Sequence, residues 1–220
     1  MEPLTFTKEQ MERRVARFAD LKPVGDIAGM TGSLPPDLKA IVTSQTVYGL
    51  TSPTGAGERN FWDAGAVPAG TPNFGAVYVQ CAPGTGASWH VHRYSYENFI
   101  AMRGKWRIFW NGPGEEEHVD LGPADMASVP PGAIRRFENV GDEDGLLLAF
   151  AYSAGASLVD VRETWLPPCE VERIEAYAAG KSEAHDAFAK KMRDLSEMVA
   201  AGETETDRKF LKDVAELVGE

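Results

Sequence analysis

Between Phe74 and Trp165 the chain alternates apolar and polar residues in short runs separated by Gly, Pro and Asn turn clusters, a pattern that strongly limits the folds open to it. The runs predicted as strands are Phe74–Cys81, Ser88–His92, Glu97–Met102, Trp106–Trp110, His118–Leu121, Met126–Val129, Arg135–Asn139 and Leu146–Ser153. Turns fall at Ala82 to Gly86 and at Asn111 to Gly114. Many short strands at regular spacing make a sandwich or a closed barrel. No Gly-rich turn leads from a strand into a helix, as a dinucleotide fold requires.

The flanks read differently. Thr7 and Gln10 form a capping box, and Met11, Val15, Phe18 and Leu21 follow at helical spacing, which predicts an amphipathic helix ending near Leu21. From Pro23 to Asn73 the text is rich in Gly, Pro, Ser and Thr, broken by the strand-like Ile41–Tyr48 and by Phe61 and Trp62. After Pro167 and Pro168, Ser182 can cap a helix with Phe188, Met192, Leu195 and Val199 on one face. Thr204 can cap another that carries Phe210, Leu211, Val214 and Leu217. The expected division is a helix and arm over 1–73, a barrel over 74–165 and a helical tail over 166–220. The tail's apolar stripes must be covered, either by the chain's own barrel or by a second copy. Glu115, Glu116 and Glu117 read as a solvated hairpin end.

Composition narrows the function. The 22 basic and 33 acidic residues leave a net charge of −11, which repels phosphate backbones and anionic lipid, so neither nucleic acid nor a membrane is expected as a partner. Cys81 and Cys169 stand far apart, with no disulfide framework and no CxxC knuckle. Met1 to Leu4 carries no basic leader, and no apolar run approaches the length of a membrane span, so a soluble cytoplasmic protein is expected. There is no Gly-x-Ser-x-Gly elbow and no P-loop, and Cys81 has no evident base partner, which leaves nucleophilic hydrolysis and nucleotide chemistry unsupported.

Two of the four histidines, His90 and His92, lie one residue apart. Alternate residues of a strand share a face, so both imidazoles point to one spot. Glu97 follows at an odd offset, but a turn over Arg93 to Tyr96 resets the parity and brings it to the same cavity from an antiparallel strand. Two imidazoles and a carboxylate form the set that suits Fe(II), and also Mn, Ni or Zn, with coordination positions left open. Tyr94 and Tyr96 flank this turn, and either hydroxyl is a candidate acid or hydrogen-bond donor. Phe99 and Ala101 share the parity of Glu97, and Trp106, Ile108 and Trp110 share a face, all read as barrel filling first. His118 and His185 are read as surface residues.

Gly84, His90, His92, Glu97 and Gly104 fit G-x5-H-x-H-x4-E-x6-G, the first motif of the cupin family. Pro130, Gly132 and Asn139 match its second motif, G-x5-P-x-G-x2-H-x3-N, while Ala124 stands at the initial glycine and Arg135 at the histidine. The chain therefore resembles a single-domain cupin, which implies an all-β fold, a double-stranded β-helix (jelly-roll) barrel with N- and C-terminal helical extensions. In cupins with the full set the second-motif histidine is a fourth metal ligand. Arginine cannot serve, because its guanidinium stays protonated and offers no lone pair. Three readings follow: His90, His92 and Glu97 hold the metal alone while Arg135 grips an anionic substrate; the metal is lost and Arg135 pairs with Glu97; or Arg135 turns outward as a surface residue.

The resemblance implies a metal-dependent enzyme on a small organic substrate, anionic or aromatic, foremost a non-haem iron dioxygenase. The rivals are an oxygen-independent cupin lyase, isomerase or cyclase, and a metal-free binding module. A homodimer is expected, since many cupins are dimers.

Overall fold

Strand alternation is realised as two facing sheets with apolar side chains between them. The computed structural model describes residues 3–24, 35–53, 67–71, 73–153 and 163–219. Its strands are β1 (Thr46–Pro53), β2 (Val67–Thr71), β3 (Phe74–Cys81), β4 (Gly86–His92), β5 (Ser95–Arg103), β6 (Trp106–Trp110), β7 (Glu117–Leu121), β8 (Met126–Val129), β9 (Ile134–Asn139), β10 (Gly145–Ser153) and β11 (Thr164–Trp165). Among the described residues one sheet has the order β2-β1-β3-β10-β5-β8 and the other β11-β4-β9-β6-β7. All pairings are antiparallel except β1 with β2. Because β10 lies between β3 and β5, and β9 between β4 and β6, the chain repeatedly crosses from one sheet to the other. This is the jelly-roll that the cupin resemblance implies, and one of the sandwich-or-barrel folds expected from the strand pattern.

Inward positions carry Val77, Val79, Phe99, Ala101, Trp106, Ile108, Phe137, Leu147 and Ala149, which form one buried cluster. Phe137 packs tilted against Phe99 and edge-on against Trp106, with ring centroids 5.4 and 6.0 Å apart. Each such side chain contributes about 1.5–3 kcal/mol by leaving water. The β5–β6 turn needs a left-handed residue, supplied by Gly104 at φ +85°, where a Cβ would also lie 3.0 Å from the Gly145 Cα. At the turn before β8 the same backbone region is occupied by Ala124, at φ +73°.

The N-terminal flank departs from expectation. The Thr7 capping box forms, but its helix, α1 (Lys8–Glu12), is short and buries nothing, and a single 3-10 turn at Phe18–Asp20 follows. Without a buried face the periodic apolar residues have nothing to hold a longer helix. The predicted strand Ile41–Tyr48 divides instead: α2 (Pro36–Val42), started by a proline whose φ suits the first helical position, takes Ile41 and Val42, and β1 takes Thr46 to Tyr48. Leu38 and Val42, four residues apart, are both buried, so helical rather than strand periodicity governs that stretch. Phe61 and Trp62 lie outside the described residues.

The tail forms α3 (Pro168–Ala178), α4 (Glu183–Ala201) and α5 (Glu205–Val218). Its stripes are covered within the chain: Phe188 and Met192 of α4 join Val171 and Ile174 of α3 and Leu38 and Val42 of α2 in a second apolar cluster. Leu217, by contrast, is exposed. His185, expected at the surface, is buried where α4 meets α2, bonded through Nδ1 to Ser182 Oγ at 2.7 Å and through Nε2 to Asp37 Oδ2 at 3.1 Å. Among the described residues no helix is long and apolar enough to cross a membrane.

Candidate metal centre

β4 ends at His92 in one sheet and β5 begins at Ser95 in the other, so the link of Arg93 and Tyr94 is shorter than expected and crosses between sheets instead of joining two paired antiparallel strands. It restores the parity, and Glu97 faces the two imidazoles. Glu97 Oε2 lies 3.5 Å from His90 Nε2 and 3.5 Å from His92 Nε2, and the three donor atoms fall within 4.8 Å of one another.

Hydrogen bonding fixes what these atoms offer. His90 Nδ1 sits 2.8 Å from the Ser88 carbonyl, which can only accept, so Nδ1 donates there and Nε2 is the nitrogen turned toward Glu97. His92 Nδ1 lies 3.2 Å from Ser95 Oγ, whose own proton is given to Glu163 Oε1, so His92 likewise donates from Nδ1. Burial would raise the Glu97 carboxyl, but His92, His90 and Arg135 outweigh it and hold it at about 2. Its Oε2 is buried with no hydrogen-bond partner. Two imidazole nitrogens and a carboxylate oxygen therefore face one point, and as neutral imidazoles with a carboxylate these residues fit a divalent cation.

Arg135 comes from β9, whose Cα register places it opposite His90. Its side chain is 0% exposed, which overturns the outward reading. Nη2 donates to the Pro130 carbonyl at 2.7 Å, while Nε stands 3.8 Å from Glu97 Oε2, an ion pair too long to be a hydrogen bond. Nε and Nη1 are both buried without a hydrogen-bond partner. Burial pulls the guanidinium below its ordinary value, against the opposing pull of Glu97 and Glu163.

The tyrosines stand elsewhere. Tyr94 donates its hydroxyl to Asp207 Oδ1 of α5 at 3.0 Å, its ring beside Phe210. Tyr96 alternates to the face of β5 opposite Glu97 and pairs with Tyr152, itself exposed, on β10. Neither geometry brings a phenol over the histidines, because the two-residue turn moves both tyrosines out of register with the cavity. His118 is exposed on β7, as expected. Phe99 and Ala101 are fully buried inward residues, also as expected.

Glu163, which no spacing in the sequence marks, lies at the centre of the supporting shell. Its Oε1 is 3.4 Å from His92 Nδ1 and accepts from Ser95 Oγ, and its Oε2 accepts from the Tyr94 amide at 2.9 Å. A polar residue just ahead of the apolar pair Trp165 and Leu166 was the faint signal available.

Residues 77–151 match the family model described as "Cupin domain". This part of the chain is a cupin domain. Solved structures similar to it include a sugar phosphate isomerase of the cupin superfamily from Silicibacter pomeroyi, at 20% identity and TM-score 0.44, covering 63% of this chain and 74% of that one. Another is described as DMSP lyases RdDddP and RnDddQII, at 16% identity and TM-score 0.42, covering 56% and 52%. A third is the cupin domain of Schizosaccharomyces pombe Cnp3, at 16% identity and TM-score 0.38, covering 50% and 66%. The chain thus spans about half of the lyase chain and under two thirds of the Cnp3 chain, 52% and 66%. No curated protein matches the sequence.

Proposed function

We propose that this cupin is a metal-dependent enzyme acting on a small anionic substrate, with His90, His92 and Glu97 as ligands of one divalent ion, Fe(II) foremost, and Arg135 as the substrate anchor. One observation carries the reading: three metal-ligating side-chain atoms within 4.8 Å of one another adjoin a buried guanidinium with two unpaired N–H groups. A buried N–H without a partner costs free energy until an acceptor arrives, and a substrate carboxylate or phenolate supplies one. The cavity's cation and its ligand carboxylate have distinct tasks, since Arg135 makes no hydrogen bond to Glu97.

When bound, the ion would supply Lewis-acid polarisation and, as Fe(II), reactivity with dioxygen, so the reaction class proposed is a dioxygenation. His90 and His92 present their Nε2 lone pairs inward because Ser88 and the Ser95–Glu163 pair hold the opposite nitrogens. Arg135 is fixed by the Pro130 carbonyl and aims its remaining donors at the anionic group, which orients the substrate without loss of side-chain freedom at the moment of binding. Phe99 and Phe137, two residues beyond Glu97 and Arg135 on their strands, belong to the buried apolar cluster.

The test is turnover of an aromatic or enolisable carboxylate panel by Fe(II)-loaded protein, with and without oxygen. Product under air only, lost in His92→Ala and with KM raised tenfold or more in Arg135→Met, is the expected result. Equal turnover under strict anaerobiosis overturns the dioxygenase assignment in favour of a lyase or isomerase. A thermal midpoint unmoved by Fe(II), Mn(II), Ni(II) or Zn(II) overturns the metal reading altogether.

A further inference from the structure

We infer that Glu163 is a positioning residue for the metal-ligand set, acting through His92 and through the turn that brings Glu97 inward. Its carboxylate is buried, 4% exposed, and every oxygen of the residue is committed to that short stretch of chain. The main-chain carbonyl accepts from the Arg93 amide at 2.7 Å, Oε2 accepts from the Tyr94 amide at 2.9 Å, and Oε1 accepts from Ser95 Oγ and stands 3.4 Å from His92 Nδ1. Four consecutive residues, His92 to Ser95, are thus held from a single side chain and its own backbone. The next strand pairing confirms the grip: Thr164 lies opposite His92 in the β11–β4 register.

The consequence for the site is geometric. The link between β4 and β5 is two residues long and carries the chain from one sheet to the other, so how closely Glu97 approaches the histidines depends on how that link is held. Its two amides at Arg93 and Tyr94 point at Glu163 rather than at each other's strands, so the turn is closed from outside, by a residue 68 positions away from Ser95. A carboxylate behind Nδ1 also makes the Nδ1–H form of His92 the favoured one and so aims the Nε2 lone pair at Glu97. His90 has no such carboxylate and relies on the Ser88 carbonyl. The two histidines are therefore held differently, and of the two imidazoles loss of Glu163 acts on that of His92.

This inference rests on the metal reading only for the affinity measurement, so two readouts are paired. In metal-free protein labelled with 15N-histidine, long-range 1H–15N spectra at one fixed pH report the tautomer of each ring. Wild type is expected to show Nδ1–H at both His90 and His92; Glu163→Gln and Glu163→Ala retain it at His90 and lose its dominance at His92. In Co(II) titrations followed by visible absorption, both variants are expected to bind 10–100-fold more weakly than wild type. Ser95→Ala, which leaves Glu163 within reach of His92, loses less. The conservative Glu163→Gln covers the case in which Glu163→Ala fails to fold. An unchanged His92 tautomer together with unchanged Co(II) affinity in Glu163→Gln overturns the positioning role. Should wild type bind no Co(II), the metal reading fails by itself, and the tautomer of His92 still decides for or against Glu163.

Discussion

Removing Asp207 should detach the end of the helical tail from the strand turn beside the metal ligands. Asp207 Oδ2 accepts from the Thr204 amide at 2.9 Å as half of the α5 capping box, Oδ1 accepts from the Tyr94 hydroxyl at 3.0 Å, and Oδ2 lies 3.6 Å from Arg93 Nη1. The cap is worth about 1 kcal/mol. The hydroxyl-to-carboxylate bond is worth roughly 2 kcal/mol. The bare Coulomb energy of the Arg93 pair at 3.6 Å is about 4.6 kcal/mol at an effective dielectric of about 20. Most of that offsets desolvation of two buried groups, and about 1–2 kcal/mol is left as the cost of stranding Arg93. Asp207→Ala should therefore lose about 4–5 kcal/mol by urea denaturation, and its melting temperature should fall by roughly 8–18 °C. Asp207→Asn retains a cap and an acceptor for Tyr94 and should lose about half as much; Tyr94→Phe should lose about 1.5 kcal/mol.

The same site fixes a pH dependence. Burial raises the Asp207 carboxyl, but the Thr204 bonds, the Tyr94 hydroxyl and Arg93 outweigh it and hold the carboxyl below its ordinary value. A depressed folded-state value means that the stabilisation is complete above the unfolded carboxylate range, near about 4, and is lost as pH falls through the folded value. Wild type should thus lose stability on acidification more steeply than Asp207→Asn. A loss under about 0.5 kcal/mol in Asp207→Ala, or parallel acid limbs for wild type and Asp207→Asn, would refute the reasoning.

Further outcomes are expected. Ala124 holds a left-handed backbone at φ +73°, which costs an L-residue about 1–2 kcal/mol, partly offset by the lower entropy of its unfolded chain. Ala124→Gly should raise stability by up to about 1 kcal/mol, and a fall in the melting temperature would show that the turn is not strained. Burial pushes the Cys81 thiol up to about 12, so native protein should leave Cys81 unlabelled by a thiol reagent at pH 8, with labelling only on unfolding; rapid labelling mapped there by mass spectrometry would contradict its placement in the core. Leu4, Phe6, Met11 and Val15 are exposed, and a homodimer that covers them should sediment at about twice the 23.9 kDa chain mass. Sedimentation at the chain mass itself, at micromolar concentration, would exclude it.

The barrel strands were legible because inward and outward faces differ in polarity: Met126–Val129 and Trp106–Trp110 occupy the spans read from alternation alone. The His90, His92 and Glu97 cluster was legible for a related reason, since parity along β4 and a reset before β5 bring the three together with no knowledge of tertiary contacts. What was missed depended on partners distant in sequence. Ile41–Tyr48 has strand composition, but Pro36 and the burial of Leu38 and Val42 in one cluster with α3 and α4 make its first two residues helical. His185 looks like a surface residue on its own helix and is buried by Asp37 of α2. The roles given to Tyr94 and Tyr96 assumed a four-residue turn, and a two-residue turn moves them to α5 and to the outer face. Glu163 carries no local pattern, because its purpose exists only where β11 meets β4.

Metal content of protein purified without a histidine tag, after exposure to Fe(II) under anaerobic conditions and removal of excess, tests the metal centre most directly. About one equivalent of iron per chain is expected in wild type, with less than about a tenth remaining in His90→Ala and in Glu97→Ala, each of which removes one of three ligands. Substoichiometric iron in wild type that does not fall further in His90→Ala would contradict the assignment of His90, His92 and Glu97 as a metal site.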